Sequence, residues 1–400
     1  MSRPPFGSAL SIFGLNIPWY SLLMMIAVAL GLFLAMREEK RLRLPKDTVL
    51  NYALLAVPLG IIGARLYYVA FSFDKFSSDL WEIFRLWHGG LAIYGAVLGG
   101  AVAALIVTRG NLTHFLTLAD ICAPSLVLGQ AIGRWGNYAN MEAYGARVTA
   151  SWAQFFPLAV EIPTVMADGR TYWYWHMATF FYESLCCALI FVFLWRFKKK
   201  ATRCGDVFFF YLLLYCAERT IIEGLRDDSL TITVSGGQVR FSQVLSTVVL
   251  LLVAIIFFRR LCARKRPRTA DYMAWGAIAL GIACTYVGEF ERNAYQGLFP
   301  VAQFLLALLL LLDGAFLFHY TRNMRRIDKP VRFTGAAALL ALLVLLCGIG
   351  RMGASNTVYV TLRQAVAIGH ATLAVGWFYL RATPRRRARR TPQPIPNSEA

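Results

Sequence analysis

Continuous apolar runs of about twenty residues recur along the whole chain, each closed by a short polar segment. A helix of that length rises about 30 Å, the thickness of a bilayer's hydrocarbon core. The runs predict eleven helices, near residues 17–36, 49–72, 90–108, 115–133, 177–195, 206–224, 241–258, 272–289, 299–320, 333–350 and 364–380. A membrane β-barrel would instead show segments of alternating polarity about ten residues long. The pattern predicts an all-α, polytopic integral membrane protein.

The polar segments orient it. "REEKRLRLPK" (37–46), "RFKKKATR" (196–203), "RRLCARKRPR" (259–268), "RNMRRIDKPVR" (322–332) and "RATPRRRARR" (381–390) follow the first, fifth, seventh, ninth and eleventh runs. The connections between them are poor in Lys and Arg, and the 109–114 connection carries only Arg109. Basic loops stay in the cytoplasm, so the N-terminus is expected outside and the C-terminus inside. Three segments are expected: a seven-helix membrane domain over 1–264, an additional four-helix membrane region over 265–383, and a basic Pro/Arg-rich cytoplasmic tail over 384–400, expected to be disordered.

Composition adds little to this but excludes some alternatives. Only 16% of the 400 residues are charged, against about 25% in soluble proteins. The net charge of +19 sits in the cytoplasmic clusters, which argues against a nucleic-acid partner. The eight cysteines are scattered, mostly through apolar runs, with no CxxC pair or His/Cys spacing that would hold a metal.

An ionisable side chain at membrane depth costs several kcal/mol unless paired, so each such group is a candidate for function. Four stretches carry them, all expected near the outer face. "IPWYSLL" places Tyr20 at the start of the first helix, where an interfacial aromatic is ordinary. "LWHGGLAIYGAVLGG" (86–100) offers His88, Tyr94 and a Gly95/Gly99 pair suited to close helix contact. "GQAIGRWGNYANMEAYG" (129–145) gathers Arg134, Asn137, Asn140 and Glu142 among glycines. A lone arginine snorkels readily from a helix end; the whole group is not explained that way. "YCAERTIIEGLRDDSL" (215–230) puts Arg219 and Glu223 four residues apart on one helix face, with Arg226 close to it. Two arginines from different helices can hold a phosphodiester and stabilise charge on a leaving phosphate, while a carboxylate orients an arginine or takes a proton. These residues point to an anionic-lipid site at the outer leaflet. They leave open a catalyst, a non-catalytic lipid-binding protein and a transporter. The last would want internal repeats and charges deep in several spans, neither of which is visible.

"GRWGNYANMEAYG" (133–145) resembles the signature of the prolipoprotein diacylglyceryl transferase family, with Tyr138 where the family has Phe. "PWYSLL", "GARLYYV" (with Arg65), "WHGGLAIYG", "LADICAPSLVLGQAIGR", "FFYES", "ERTIIEGLRDDSL" and "VRFSQVLS" extend the resemblance over about the first 260 residues. It implies a seven-helix enzyme of the bacterial cytoplasmic membrane that moves the diacylglyceryl group of phosphatidylglycerol to the lipobox cysteine thiol of preprolipoproteins, without metal or cofactor. By motif position it implies that Arg134 and Arg219 hold the phosphate, with Asn137, Asn140, Glu142, Gly145 and Arg65 in the same site. It further implies that Glu223 pairs with Arg219 and that Tyr20 belongs to an essential motif. Three departures stand out. Tyr94 occupies a position where many members have a histidine, and tyrosine, titrating ordinarily at about 10, is a poorer base. "WHMATFFYES" lacks the family's proline and displaces its histidine, here His176, by one. Residues 265–400 have no counterpart in the usual seven-helix enzyme.

Overall fold

The computed structural model describes residues 9–12, 15–77, 79–86, 89–166, 169–226, 231–234, 237–293 and 357–383, with isolated positions between 301 and 344. The helices expected at 299–320 and 333–350 fall mostly outside the described residues, as do His88 and the tail from 384. The described helices are α1 Trp19–Leu42, α2 Thr48–Phe71, α3 Ile93–Val107, α4 Leu112–Asn140, α5 Thr179–Phe197, α6 Asp206–Glu223, α7 Phe241–Cys262, α8 Thr269–Asn293 and α9 Thr357–Ala382. Each coincides with an expected apolar run. Among the described residues, α1, α2, α4, α5, α7 and most of α8 are long and apolar enough to cross a membrane. Large apolar side chains such as Met25, Leu54, Leu66 and Val97 are exposed on the helix surfaces, as bilayer-facing positions would be. The protein is a helical, multi-pass membrane protein.

Among the described residues, three antiparallel hairpins were not expected. β1 (Ala9–Ile12) pairs with β2 (Leu15–Pro18), β3 (Ala159–Val165) with β4 (Thr171–Met177), and β5 (Thr231–Val234) with β6 (Gly237–Arg240). The β3–β4 register sets Val160 opposite His176 and Ile162 opposite Tyr174. Its β-branched and aromatic residues favour a strand, although hydropathy alone reads the segment as a loop.

The described chain falls into two compact units. One holds the described residues of 1–24, 130–190 and 209–388; the other holds those of 25–129 and 191–208.

In the second unit, α2 and α3 cross where glycines remove the side chains. A Cβ on Gly95 would lie 2.1 Å from the Gly63 carbonyl oxygen, and one on Gly99 would lie 2.1 Å from that of Leu59. The hydrophobic effect does not drive helices together in lipid, so this backbone approach supplies the contact energy. Ala35, Val49, Ala104, Leu118 and Ile121 form the core of this unit. Glu38 pairs with Lys198 at 2.7 Å, both side chains nearly buried. Asp120 accepts from the backbone N–H groups of Gly205 (2.7 Å) and Phe208 (2.8 Å), capping the start of α6.

In the first unit, α4 continues seven residues beyond its expected end. Hydropathy falls at Arg134, but the helix is held by α5: Trp135 Nε1 donates to Ser184 Oγ at 3.1 Å, and Ser184 Oγ donates to the Ala131 carbonyl at 2.8 Å. Gln130 Nε2 donates to Tyr211 Oη of α6 at 3.1 Å. In the same unit α8 and α9 pack closely, and Gly281 lets the Ala367 carbonyl come within 2.5 Å of where its Cβ would be. α9 also packs on α7.

Candidate active site

Within the first unit, α4, α5 and α6 each bring charge to one buried cluster. Glu183, on the first turns of α5, has a nearly sealed side chain. It forms an ion pair with Arg134 of α4 and accepts from Arg219 Nη1 of α6 at 3.4 Å and 3.3 Å through its two oxygens. Arg219 Nη2 pairs with Glu223 one turn further along α6. The expected Arg219–Glu223 pair is thus formed, and the two arginines expected from separate helices are brought to one carboxylate.

The exposures differ by sign. The Arg134 and Arg219 side chains are 20% and 17% exposed, whereas those of Glu183 and Glu223 are 2% and 4% exposed. The carboxylates lie beneath and hold the guanidiniums in place, so the open side of the cluster is cationic. A planar guanidinium fork there matches the oxygens of a phosphate.

The sequence assigns no role to Glu183 of "FFYES" or to Glu218. Glu183's signal is a lone carboxylate at the start of an apolar helix; its partners, on two other helices, have no fixed spacing from it in sequence. Glu218 is buried, within electrostatic reach of Glu183, Arg219 and Arg134, and neither of its oxygens has a hydrogen-bond partner among the described residues.

Tyr20 joins this unit. A Cβ on Gly136 would sit 2.5 Å from the Tyr20 ring, so that glycine lets the ring rest on α4 two residues beyond Arg134. Asn137 and Asn140 are half-buried on the last turns of α4, and Glu142 is exposed just past it. The helix stops by reversal of the backbone: Met141 and Ala143 have φ of 55° and 54°, and the Glu142 N–H donates to the Asn137 carbonyl at 2.9 Å.

Gly145 closes the motif for a steric reason. A Cβ there would lie 2.5 Å from the Leu225 carbonyl oxygen and 2.8 Å from Thr179 Cγ2. Its N–H donates to the Met177 carbonyl at 3.0 Å, and its carbonyl accepts from His176 Nδ1 at 2.9 Å. Gly145 therefore ties the segment after α4 to the end of β4 and the end of α6.

Arg65 and Tyr94 lie in the other unit. Arg65 is buried, and its guanidinium donates to the carbonyls of Glu82, Ile83 (2.8 Å), Arg85 (3.3 Å), Gly89 (2.5 Å) and Gly90 (3.1 Å). Gly89 and Gly90, with φ of 81° and 74°, bend the backbone around it. These bonds make Arg65 an anchor for the 82–90 segment. Tyr94 is half-buried near the start of α3, its ring 6.1 Å from that of Tyr67.

The chain is similar to proteins of one known family. The family profile described as prolipoprotein diacylglyceryl transferase matches residues 8–259. A phosphatidylglycerol–prolipoprotein diacylglyceryl transferase from Listeria welshimeri is 39% identical over 255 residues, covering 63% of this chain and 89% of the relative. One of the same name from Geobacillus kaustophilus is 40% identical over 259 residues, covering 64% and 93%. The matched stretch contains Arg134, Glu183, Arg219 and Glu223 and spans more than half of the chain, which belongs to the prolipoprotein diacylglyceryl transferase family.

Proposed function

We propose that this chain transfers the diacylglyceryl group of phosphatidylglycerol to the lipobox cysteine of preprolipoproteins, the first step of lipoprotein maturation. The observation that carries the reading is the Arg134–Glu183–Arg219–Glu223 cluster, with cations outward and carboxylates sealed beneath. The cysteine sulfur attacks the glyceryl carbon that bears the phosphate ester. The S–C bond forms, the C–O bond breaks, and glycerol phosphate leaves with the electron pair. The thiol proton passes to a base, for which Tyr94 is the candidate from sequence. Arg134 and Arg219 bind the phosphate and stabilise the charge that grows on it as the bond breaks. Asn137, Asn140 and Glu142 line the polar end of α4 toward the head group, and Tyr20 closes the site on the side of α1.

The family's substrates and the alternating basic loops support a bacterial cytoplasmic membrane location, with the N-terminus outside and the site at the outer leaflet. Four further helices follow the seven of the family domain in this reading. The test is turnover by the purified full chain, given phosphatidylglycerol and a lipobox peptide. Glycerol phosphate should appear in step with a diacylglyceryl mass gain on the peptide, and neither should appear with a Cys→Ala peptide. Phosphatidylglycerol binding without either product, under conditions where the Listeria relative turns over, would refute the proposal.

A further inference from the structure

The end of α6 is held by α7, and the α7 residue that holds it is fixed in turn from beyond the family-matched stretch. Of the carbonyls in its last turn, Ile221 accepts from Gly224 N–H at 3.1 Å, Ile222 from Leu225 at 2.9 Å, and Glu223 from Arg226 at 3.3 Å. The Thr220 carbonyl, directly after Arg219, instead accepts from Gln243 Nε2 of α7 at 3.0 Å. A buried helix end needs such partners.

Gln243 is itself fixed. Its other Nε2 hydrogen goes to Glu289 Oε1 of α8 at 3.1 Å. The same oxygen accepts from Gln364 Nε2 of α9 at 2.9 Å, and that amide also donates to the Thr285 carbonyl at 2.9 Å. Glu289 Oε2 pairs with Arg240. Glu289, Gln243 and Gln364 are fully buried. Each amide nitrogen faces two acceptors, so each spends both hydrogens and its orientation is dictated by its partners.

We propose that Glu289 is a positioning residue for the transfer reaction: through Gln243 it fixes the last turn of α6 and with it Arg219 and Glu223. This assigns α8 and α9, which lie beyond residue 259, a part in the catalytic unit. The inference rests on the proposed function. Its logic is geometric, since a displacement of about 1 Å in a phosphate-holding group can cost about a hundredfold in rate.

The test uses the full chain in phosphatidylglycerol nanodiscs supplied with a lipobox peptide, with glycerol phosphate release normalised to folded protein. Three variants are compared. Glu289→Gln removes the charge that Arg240 and both amides share. Gln243→Met cuts the link to Thr220 while leaving the Glu289–Arg240 pair whole, so it also serves if Glu289→Gln folds poorly. Asp271→Asn breaks the buried Asp271–Arg381 pair at the other end of α8, about 27 Å away along the helix. It matches the loss of an ion pair in the same region without touching α6.

Glu289→Gln and Gln243→Met should each lower kcat about tenfold and speed amide hydrogen exchange at residues 220–226. Asp271→Asn should lower the melting temperature and leave kcat within twofold of wild type. Wild-type kcat in Gln243→Met, or equal kcat losses in all three variants, would overturn the proposal. If the wild type itself releases no glycerol phosphate, it is the functional reading that fails. In that case the exchange comparison at 220–226 still decides whether Glu289 holds α6.

Discussion

The first unit contains two buried polar clusters built from similar parts, and they differ in which side is open. In the Arg134–Glu183–Arg219–Glu223 cluster the glutamate side chains are sealed and the arginine side chains are partly exposed. In the Arg240–Glu289–Gln243–Gln364 cluster the carboxylate and both amides are sealed, and the Arg240 side chain is 11% exposed. Both need internal partners for groups removed from water. The first is the cluster to which the proposed function assigns the phosphate. The second spends its amide donors on backbone carbonyls and Glu289, and so works as a strut. Arg65, whose donors all go to carbonyls, falls with the second kind despite its family motif. A buried arginine marks a ligand site only where donors remain facing outward.

Substitutions can break or sharpen that contrast. Glu183→Leu should have the largest effect. It removes the carboxylate that Arg134 and Arg219 share and leaves Arg219 with Glu223 alone, and removing one partner of a buried pair costs about 3–5 kcal/mol. A large fall in melting temperature in detergent, with no turnover, is the expected result. Arg134→Lys keeps the charge and loses the fork. It should lower kcat/KM by about a hundredfold, in the range seen when one donor to a developing oxyanion is removed, with a melting temperature close to wild type. Gly145→Ala drives a Cβ toward the Leu225 carbonyl, and overpacking of this kind costs about 1–3 kcal/mol. It should shift the melting temperature more than KM. Glu218→Gln should be mildest. Its carboxylate has no hydrogen-bond partner to lose, so a stability change below about 1 kcal/mol is expected. A Glu218→Gln loss as large as that of Glu183→Leu would erase the distinction between the shared carboxylate and its neighbour.

Much of the fold was legible because hydrophobic run length maps directly onto membrane helices. α2 and α7 start where their runs do, and the Gly95/Gly99 pair makes the crossing that its spacing suggested. The end of α4 was missed because hydropathy stops at Arg134, while Trp135 and Ser184 carry the packing on to Asn140. The β3–β4 hairpin was missed because a long connection between apolar runs gives no span signal. The Arg219–Glu223 pair was legible from the i, i+4 relation. Glu183 was not assigned a role, because its two partners meet it only in the folded chain. The Thr220–Gln243–Glu289 link was unreadable for the same reason: it joins residues 69 positions apart through one amide.

The account stands or falls on one comparison of rates. Wild type and Arg134→Lys, at equal amounts of folded protein, would be supplied with phosphatidylglycerol and a lipobox peptide, and glycerol phosphate release would be followed against peptide mass. The account predicts one diacylglyceryl group gained per glycerol phosphate released by the wild type, and a rate about a hundredfold lower for Arg134→Lys. Equal rates from the two proteins, or head-group release without modification of the peptide, would contradict it.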